Sequence, residues 1–271
     1  MTLPAHRGIQ VWREDGAAPD RVAEEVPVAL RYNGEPHVVM MCTPSDLEDF
    51  ARGFSVTEGI VEDVAQIGAI QLRELSEDQG FEMDVAIPQS CAQRLAGRQR
   101  QLRGRTGCGL CGAQTLADVL RPARRVPAGV AVAAGAVRRA LEALRRQQPL
   151  NAATGSTHAA AWATPDGLIV AVREDVGRHN ALDKLIGHLL ATNSDLARGF
   201  VVVTSRASYE MVAKSVAVGM PMLVAISAPT AYAVRLAEDA GLTLIGFARA
   251  HRHVVYACPG RVSSAPLGTP G

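Results

Sequence analysis

Several absences narrow this 271-residue chain before any motif is considered. No apolar run approaches the length needed to cross a bilayer; the longest, such as Phe200 to Thr204 and Met220 to Ile226, are strand-sized. The first residues, with Arg7, Arg13, Glu14 and Asp15, lack an apolar secretory core, so the expected compartment is the cytoplasm. Neither sign of charge dominates: 28 Lys+Arg against 27 Asp+Glu disfavours a general nucleic-acid binder. There is no internal repeat, no Walker-type phosphate loop and no suitably placed dinucleotide fingerprint. Cysteines number five, an odd count with Cys42, Cys91 and Cys258 scattered singly, which argues against a disulfide framework.

One local absence frames a feature that is present. From Pro88 to Ala117 there is no Asp or Glu, while Arg94, Arg98, Arg100, Arg103 and Arg105 all precede Gly107-Cys108-Gly109-Leu110-Cys111-Gly112. A Cys-x-x-Cys pair binds metal, exchanges a disulfide or carries sulfur as a persulfide, and nearby guanidinium groups favour its thiolate. A structural zinc site needs four ligands, and no second pair exists. A zinc deaminase would add His-x-Glu, which is missing. The three glycines favour a mobile loop over a rigid helix start, which suits a sulfur visiting a donor and an acceptor. Two idle surface thiols would be reactive and hard to keep without a use.

Periodicity divides the chain in two. Val26–Arg31 and His37–Cys42 flank Asn33-Gly34, a hairpin signal. A helix is expected from Thr43-Pro44-Ser45-Asp46, with Ser45 and Glu48 as a capping box and Leu47, Phe50, Ala51 and Phe54 on its apolar face. Strands over Ile67–Leu75 and Phe81–Ile87 and a helix over Gln89–Gln99 complete an α+β unit at 1–125. A connector rich in proline and basic residues follows. Then come a helix marked by Val137, Leu141 and Leu144, a hairpin around Pro165-Asp166-Gly167 and a helix at Ala181–Leu190. Strands at Phe200–Thr204, Met222–Ser227 and Leu242–Phe247 alternate with helices near Ser208–Val218 and Thr230–Ala240, so 126–262 reads as α/β with parallel strands covered on their faces. His253–Ala257 is expected as an edge strand and 263–271 as a disordered tail.

Three further clusters carry chemistry-bearing residues. Arg173-Glu174-Asp175-Val176-Gly177-Arg178-His179-Asn180, then Asp183 and Lys184, sit between a strand and a helix. Capping by Asn180 with Asp183 behind it explains only part of that density. Thr204-Ser205-Arg206-Ala207-Ser208, with Tyr209, Glu210 and Lys214, and Ser227-Ala228-Pro229-Thr230 lie at adjacent strand ends. Their hydroxyls with Arg206 and Lys214 suit phosphate or pyrophosphate, against simple capping by Ser208 and Thr230. His158 in Thr154-Gly155-Ser156-Thr157-His158 reads by itself as a structural histidine with a possible site role, and Phe247 to His253 forms a basic turn.

In combination these segments resemble the FdhD family, accessory sulfurtransferases for formate dehydrogenase. The matching pieces are Arg105–Gly112, Thr154–Ala161, Glu174–Lys184, Ser205–Lys214 and Gly246–Arg249, in family order. The resemblance implies a homodimer with a cytidine-deaminase-like three-layer α/β domain beside a smaller N-terminal α+β domain. It implies transfer of sulfur from a cysteine desulfurase to the molybdenum cofactor in its bis guanine-dinucleotide form, for formate dehydrogenase. Cys108 would be the persulfide carrier and Cys111 its companion. The family's cofactor-binding segment falls on Phe247, Ala248, Arg249, Ala250, His251 and Arg252, with Ser205, Arg206, Lys214 and His158 as further cofactor contacts. This chain has His251-Arg252-His253-Val254 where many relatives have Gly-Arg and then Phe-Asn. No resident metal, membrane or nucleic acid is expected. A cofactor-holding chaperone without sulfur chemistry, a thiol–disulfide oxidoreductase, and a zinc site shared across a dimer are the alternatives.

Overall fold

The structure is a computed structural model that describes residues 3–75, 80–102, 124–249 and 252–263. Cys108, Cys111, Ala250 and His251 lie outside the described residues, as do the side chains of Arg100, Arg103 and Arg105.

An antiparallel hairpin, β1 (His6–Arg13) with β2 (Gly16–Ala23), opens the chain and was not foreseen. β3 (Val26–Tyr32) and β4 (Glu35–Cys42) form the expected hairpin, with Asn33 and Gly34 both at positive φ, the geometry an Asn-Gly turn supplies. α1 (Leu47–Thr57) begins differently from expectation. Asp46, at φ 52°, occupies the cap position without a side-chain cap bond, so Ser45 and Glu48 form no capping box; Glu48 pairs with Arg52 instead. β5 (Ile70–Glu74), β6 (Phe81–Val85) and α2 (Gln89–Leu102) complete this part. Its sheet runs β4-β3-β6-β5, with β3 and β6 parallel. Val28, Leu30, Tyr32, Phe81, Met83 and Val85 alternate inward to meet Phe50 and Phe54 of α1 and Cys91 and Leu95 of α2.

The second part contains β7 (Val132–Ala133), α3 (Ala134–Arg146), α4 (Pro149–Thr154), β8 (His158–Ala163), β9 (Ile169–Asp175), α5 (Arg178–Ala191), β10 (Phe200–Val203), α6 (Tyr209–Ala217), β11 (Met222–Ala225), α7 (Ala231–Ala240), β12 (Thr243–Gly246), β13 (Val254–Ala257) and β14 (Val262–Ser263). Its six-stranded sheet has the order β13-β12-β11-β10-β8-β9. Only β10, β11 and β12 are mutually parallel; β8, β9 and β13 run against their neighbours, so the sheet is mixed. Both faces are covered. Val201, Val203, Leu223 and Leu244 join the core made with α5, α6 and α7, while Phe200, Val202, Met222 and Ile245 join the one made with α3. Ser263, expected in the tail, pairs with Ala133 beside the Val262–Val132 pairing.

The two parts meet through α1 and α5. A Cβ on Gly53 would fall 1.8 Å from the Asp183 carbonyl oxygen, and one on Gly187 would fall 1.9 Å from that of Asp49. Glycine at both positions lets the backbones touch. This close approach brings the last turn of α1, with Thr57 and Glu58, against α5 and α6, which matters below.

Candidate functional site

Because β10, β11 and β12 are parallel, their carboxyl ends arrive together at one edge of the sheet, the usual place for ligands in α/β folds. β8 runs the other way, so its first residue, His158, reaches the same edge, opposite Asp175 at the end of β9. The loops beyond these strands are stitched together by main-chain bonds. Ser227 N donates to Ser205 O at 3.4 Å, Thr230 N to Ala207 O at 3.1 Å, and Phe247 N to Ser227 O at 3.2 Å. A side chain on Gly246 would strike Pro229 and the Tyr256 ring, so the chain passes there only as glycine. Phe247 follows at φ 49°, a left-handed conformation rare for an aromatic residue, and the residue is 42% exposed. Arg249 is held by its main chain to Arg252 O at 2.8 Å and by its guanidinium to Ile226 O. Ala248 is buried; Arg249 and Arg252 are exposed. Ser205 is buried and donates to Arg206 O, while Arg206 itself is exposed. Thr230 caps α7 through Ala233 N, as simple capping predicts.

The Arg173–Lys184 segment resolves into separate tasks. Arg173 grips Asp49 of α1 at 2.8 Å. Glu174 accepts the amides of Leu150 and Asn151 at 2.9 and 2.7 Å, closing the start of α4. Asp175 is a fully buried hub: it meets Lys184 Nζ at 2.6 Å and accepts Thr43 N, Gly177 N and Asn180 Nδ2. Lys184 also donates to Thr43 O, and Asn180 to Met41 O. Neither Asn180 nor Asp183 caps the helix. Gly177 takes the cap position, and Asn180 is drawn inward to tie α5 to the end of β4.

Lys214, expected to meet phosphate, is otherwise employed. Its ammonium donates to Thr57 Oγ1 at 3.0 Å, Glu58 Oε1 at 2.7 Å and Asp183 Oδ2 at 2.9 Å, which uses all three donors. Burial pushes the Asp183 carboxyl up to about 6, although Lys214 pulls the other way. Burial also opposes the Lys214 charge, but Asp183 and Glu58 outweigh it and raise its pKa. Thr57 and Glu58 lie 157 and 156 residues earlier in the chain than Lys214, and no local pattern announces them.

What remains is a group of basic and hydroxyl side chains at the sheet edge: His158, Arg178, His179 and Ser208. His179 Nε2 lies 2.8 Å from Glu210 Oε2 but is not aligned as a hydrogen bond, and Arg178 Nε and Ser208 Oγ are also shut from solvent without a partner. Burial, then the charges of Arg178 and Lys214, push His179 down to about 4. Burial and Arg178 lower His158 as well. Among the described residues, no three His, Cys, Asp or Glu side chains are grouped to hold a metal, and no helix is long and apolar enough to cross a membrane. Of the arginines preceding the cysteine pair, Arg94 sits 3.5 Å from Cys91 Sγ and Arg98 reaches Gly59 O.

A profile of the FdhD/NarQ family matches residues 23–263. The chain is 50% identical over 263 residues to a protein named sulfur carrier protein FdhD from Cupriavidus necator, covering 96% of this chain and 91% of that one. A protein of the same name from Xanthomonas campestris pv. campestris strain B100 is 49% identical over 261 residues, with the same coverage. The fold is similar to a crystal structure from Desulfotalea psychrophila, assigned as a formate dehydrogenase accessory protein, with a TM-score of 0.74 and 23% identity over 95% of this chain and 98% of that one.

Proposed function

This chain belongs to the FdhD/NarQ family, and from that membership we propose that it is a sulfur carrier in the maturation of formate dehydrogenase. The observation that carries the reading is near-complete alignment, at half identity, with relatives named sulfur carriers. The glycine-flanked Cys108–Cys111 pair supplies a nucleophile of the required kind.

The Cys108 thiolate attacks the outer sulfur of a cysteine desulfurase persulfide. The donor's S–S bond breaks, the donor leaves as a thiolate, and Cys108 becomes a persulfide. Attack by the Cys111 thiolate on the inner sulfur then forms a Cys108–Cys111 disulfide and expels hydrosulfide. Two electrons pass from the dithiol to the carried sulfur, and a cellular dithiol later reduces the disulfide. The acceptor is the bis guanine-dinucleotide molybdenum cofactor, a substrate of the transfer and not a resident group. Its dinucleotide arms would lie along the edge bearing Ser205, Arg206, His158 and the Phe247–Arg252 turn, where exposed guanidinium groups and an outward aromatic ring face solvent. Lys214 belongs instead to the support beneath that edge. The same reading includes a cytoplasmic homodimer with cytidine-deaminase-like layering in 126–262.

The test is mass spectrometry after incubation with cysteine and a desulfurase. Wild type should gain about 32 Da, one sulfur atom, and Cys108→Ala should not. A Cys108→Ala protein that still matures active formate dehydrogenase would defeat the carrier assignment. A cofactor-holding chaperone predicts that outcome.

A further inference from the structure

Within the Arg173–Lys184 segment, Arg173, Glu174, Asp175, Asn180, Asp183 and Lys184 are each engaged in the fold by named partners. Arg178 and His179 are the titratable groups left over, and both carry buried nitrogens without a hydrogen-bond partner. Ser208, one residue before α6, adds an unpartnered hydroxyl. Leaving such groups unpaired costs roughly 1–3 kcal/mol each, so three together at a sheet edge are donors suited to a shared acceptor.

The local charge says what that acceptor is. Arg178 acts on both His158 and His179, and Lys214 acts on His179 as well. Lys214 is already paired with Asp183 and Glu58, so the charge left to compensate is that of Arg178, and beside this group stands one loosely placed carboxylate. Glu210 Oε2 reaches within 2.8 Å of His179 Nε2 without completing a bond, and its side chain is 32% exposed, with water to turn into. An acidic side chain resting among basic groups without bonding them occupies the place of an anion.

We propose that Arg178, His179 and Ser208 form a seat for a phosphoryl group, and that Glu210 fills the seat until the ligand displaces it. The ligand's oxygens would accept from the Arg178 guanidinium, the His179 imidazole and the Ser208 hydroxyl. The first amides of α5, which have no intrahelical partner by position, add to the attraction. That the phosphoryl group belongs to the dinucleotide of the sulfur acceptor rests on the sulfur-carrier reading; the seat itself does not.

Inorganic pyrophosphate titrated into the full-length protein at fixed ionic strength, followed by calorimetry, tests this. Wild type should bind; Arg178→Gln should bind at least tenfold more weakly, and Ser208→Ala severalfold more weakly. Glu210→Gln should bind more tightly, because the resident competitor loses its charge. Arg198→Gln, at the opposite edge of the sheet, should match wild type. The His179 imidazole resonance should titrate at a higher pH with pyrophosphate than without, since a bound dianion offsets Arg178, Lys214 and His158. Circular dichroism melts identify any variant that fails to fold, and Arg178→Lys should then recover part of the binding. No binding by wild type, equal binding by Arg178→Gln, or weaker binding by Glu210→Gln overturns the seat. Persulfide loading of Cys108 is measured on the same proteins. Its absence in wild type would sink the carrier reading while leaving a pyrophosphate-binding seat standing.

Discussion

Asp175 and Arg178 lie three residues apart in one continuous motif, yet their surroundings are opposites. Asp175 is fully buried and meets four donors, from Thr43, Gly177, Asn180 and Lys184. Arg178 is half-buried and keeps a nitrogen that bonds nothing. A dense run of charges in a sequence is therefore not one site. Part of it is a clamp fastening α5 to the end of β4, and part stands free on the ligand side of that clamp. The clamp makes the free part useful, because it fixes the turn from which Arg178 and His179 project.

The comparison breaks most visibly at its buried end. Asp175→Ala strands the Lys184 ammonium, itself without solvent exposure, and frees three other donors. Removing one partner of a buried pair costs about 3–5 kcal/mol, so urea denaturation should show a large loss of stability. A loss below about 1 kcal/mol would mean that Asp175 is not the hub that the geometry makes it.

Lys214 occupies the middle ground. Lys214→Met keeps the length of the stem but leaves Asp183 buried beside Glu58, which can turn outward to water. The expected cost is about 1–3 kcal/mol near neutral pH. The sign with pH follows from Asp183, whose folded-state value is raised to about 6 above an ordinary 3.8. Between those values the folded state holds the proton more tightly than the unfolded state. This group's contribution therefore favours folding increasingly as pH falls through 6. The penalty of Lys214→Met should accordingly be smaller at pH 5 than at pH 8, as paired melts would show. An equal penalty at both would place the buried charge elsewhere.

These residues also show what a sequence can disclose. The Asn33-Gly34 hairpin and the inward Phe81, Met83 and Val85 alternation were legible because each is decided within a few residues. The start of α1 was misread because Ser45 and Glu48 have the spacing of a capping box, while Asp46 turns left-handed toward Arg173. The β1–β2 hairpin escaped notice because its strands are largely exposed and bring little apolar alternation, although Asp15-Gly16 stands at its turn. At the site, the strand-end loops were readable from the alternation of strands and helices. The assignment of Lys214 to phosphate was not sound, since Thr57 and Glu58 reach it only because Gly53 and Gly187 allow two helices to touch. A contact that depends on backbone approach between segments so far apart in the chain leaves no local trace.

The smallest expected effect sharpens the comparison most. Arg178→Gln removes a charge from a place where its Nε bonds nothing and where two histidines are already disfavoured in their charged forms. Loss of the buried, unpaired Nε works against the loss of packing by the arginine stem, so the net change in stability should stay within about 0.5 kcal/mol. The same substitution should weaken pyrophosphate binding at least tenfold. Asp175→Ala, three residues away, should have its main effect on folding instead. If Arg178→Gln destabilised the protein as Asp175→Ala does, the free end of the motif would be part of the clamp. A stable Arg178→Gln protein that no longer holds the anion sets Arg178 apart from the clamp on either side of it, formed by Asp175 before and by Asn180 and Lys184 after.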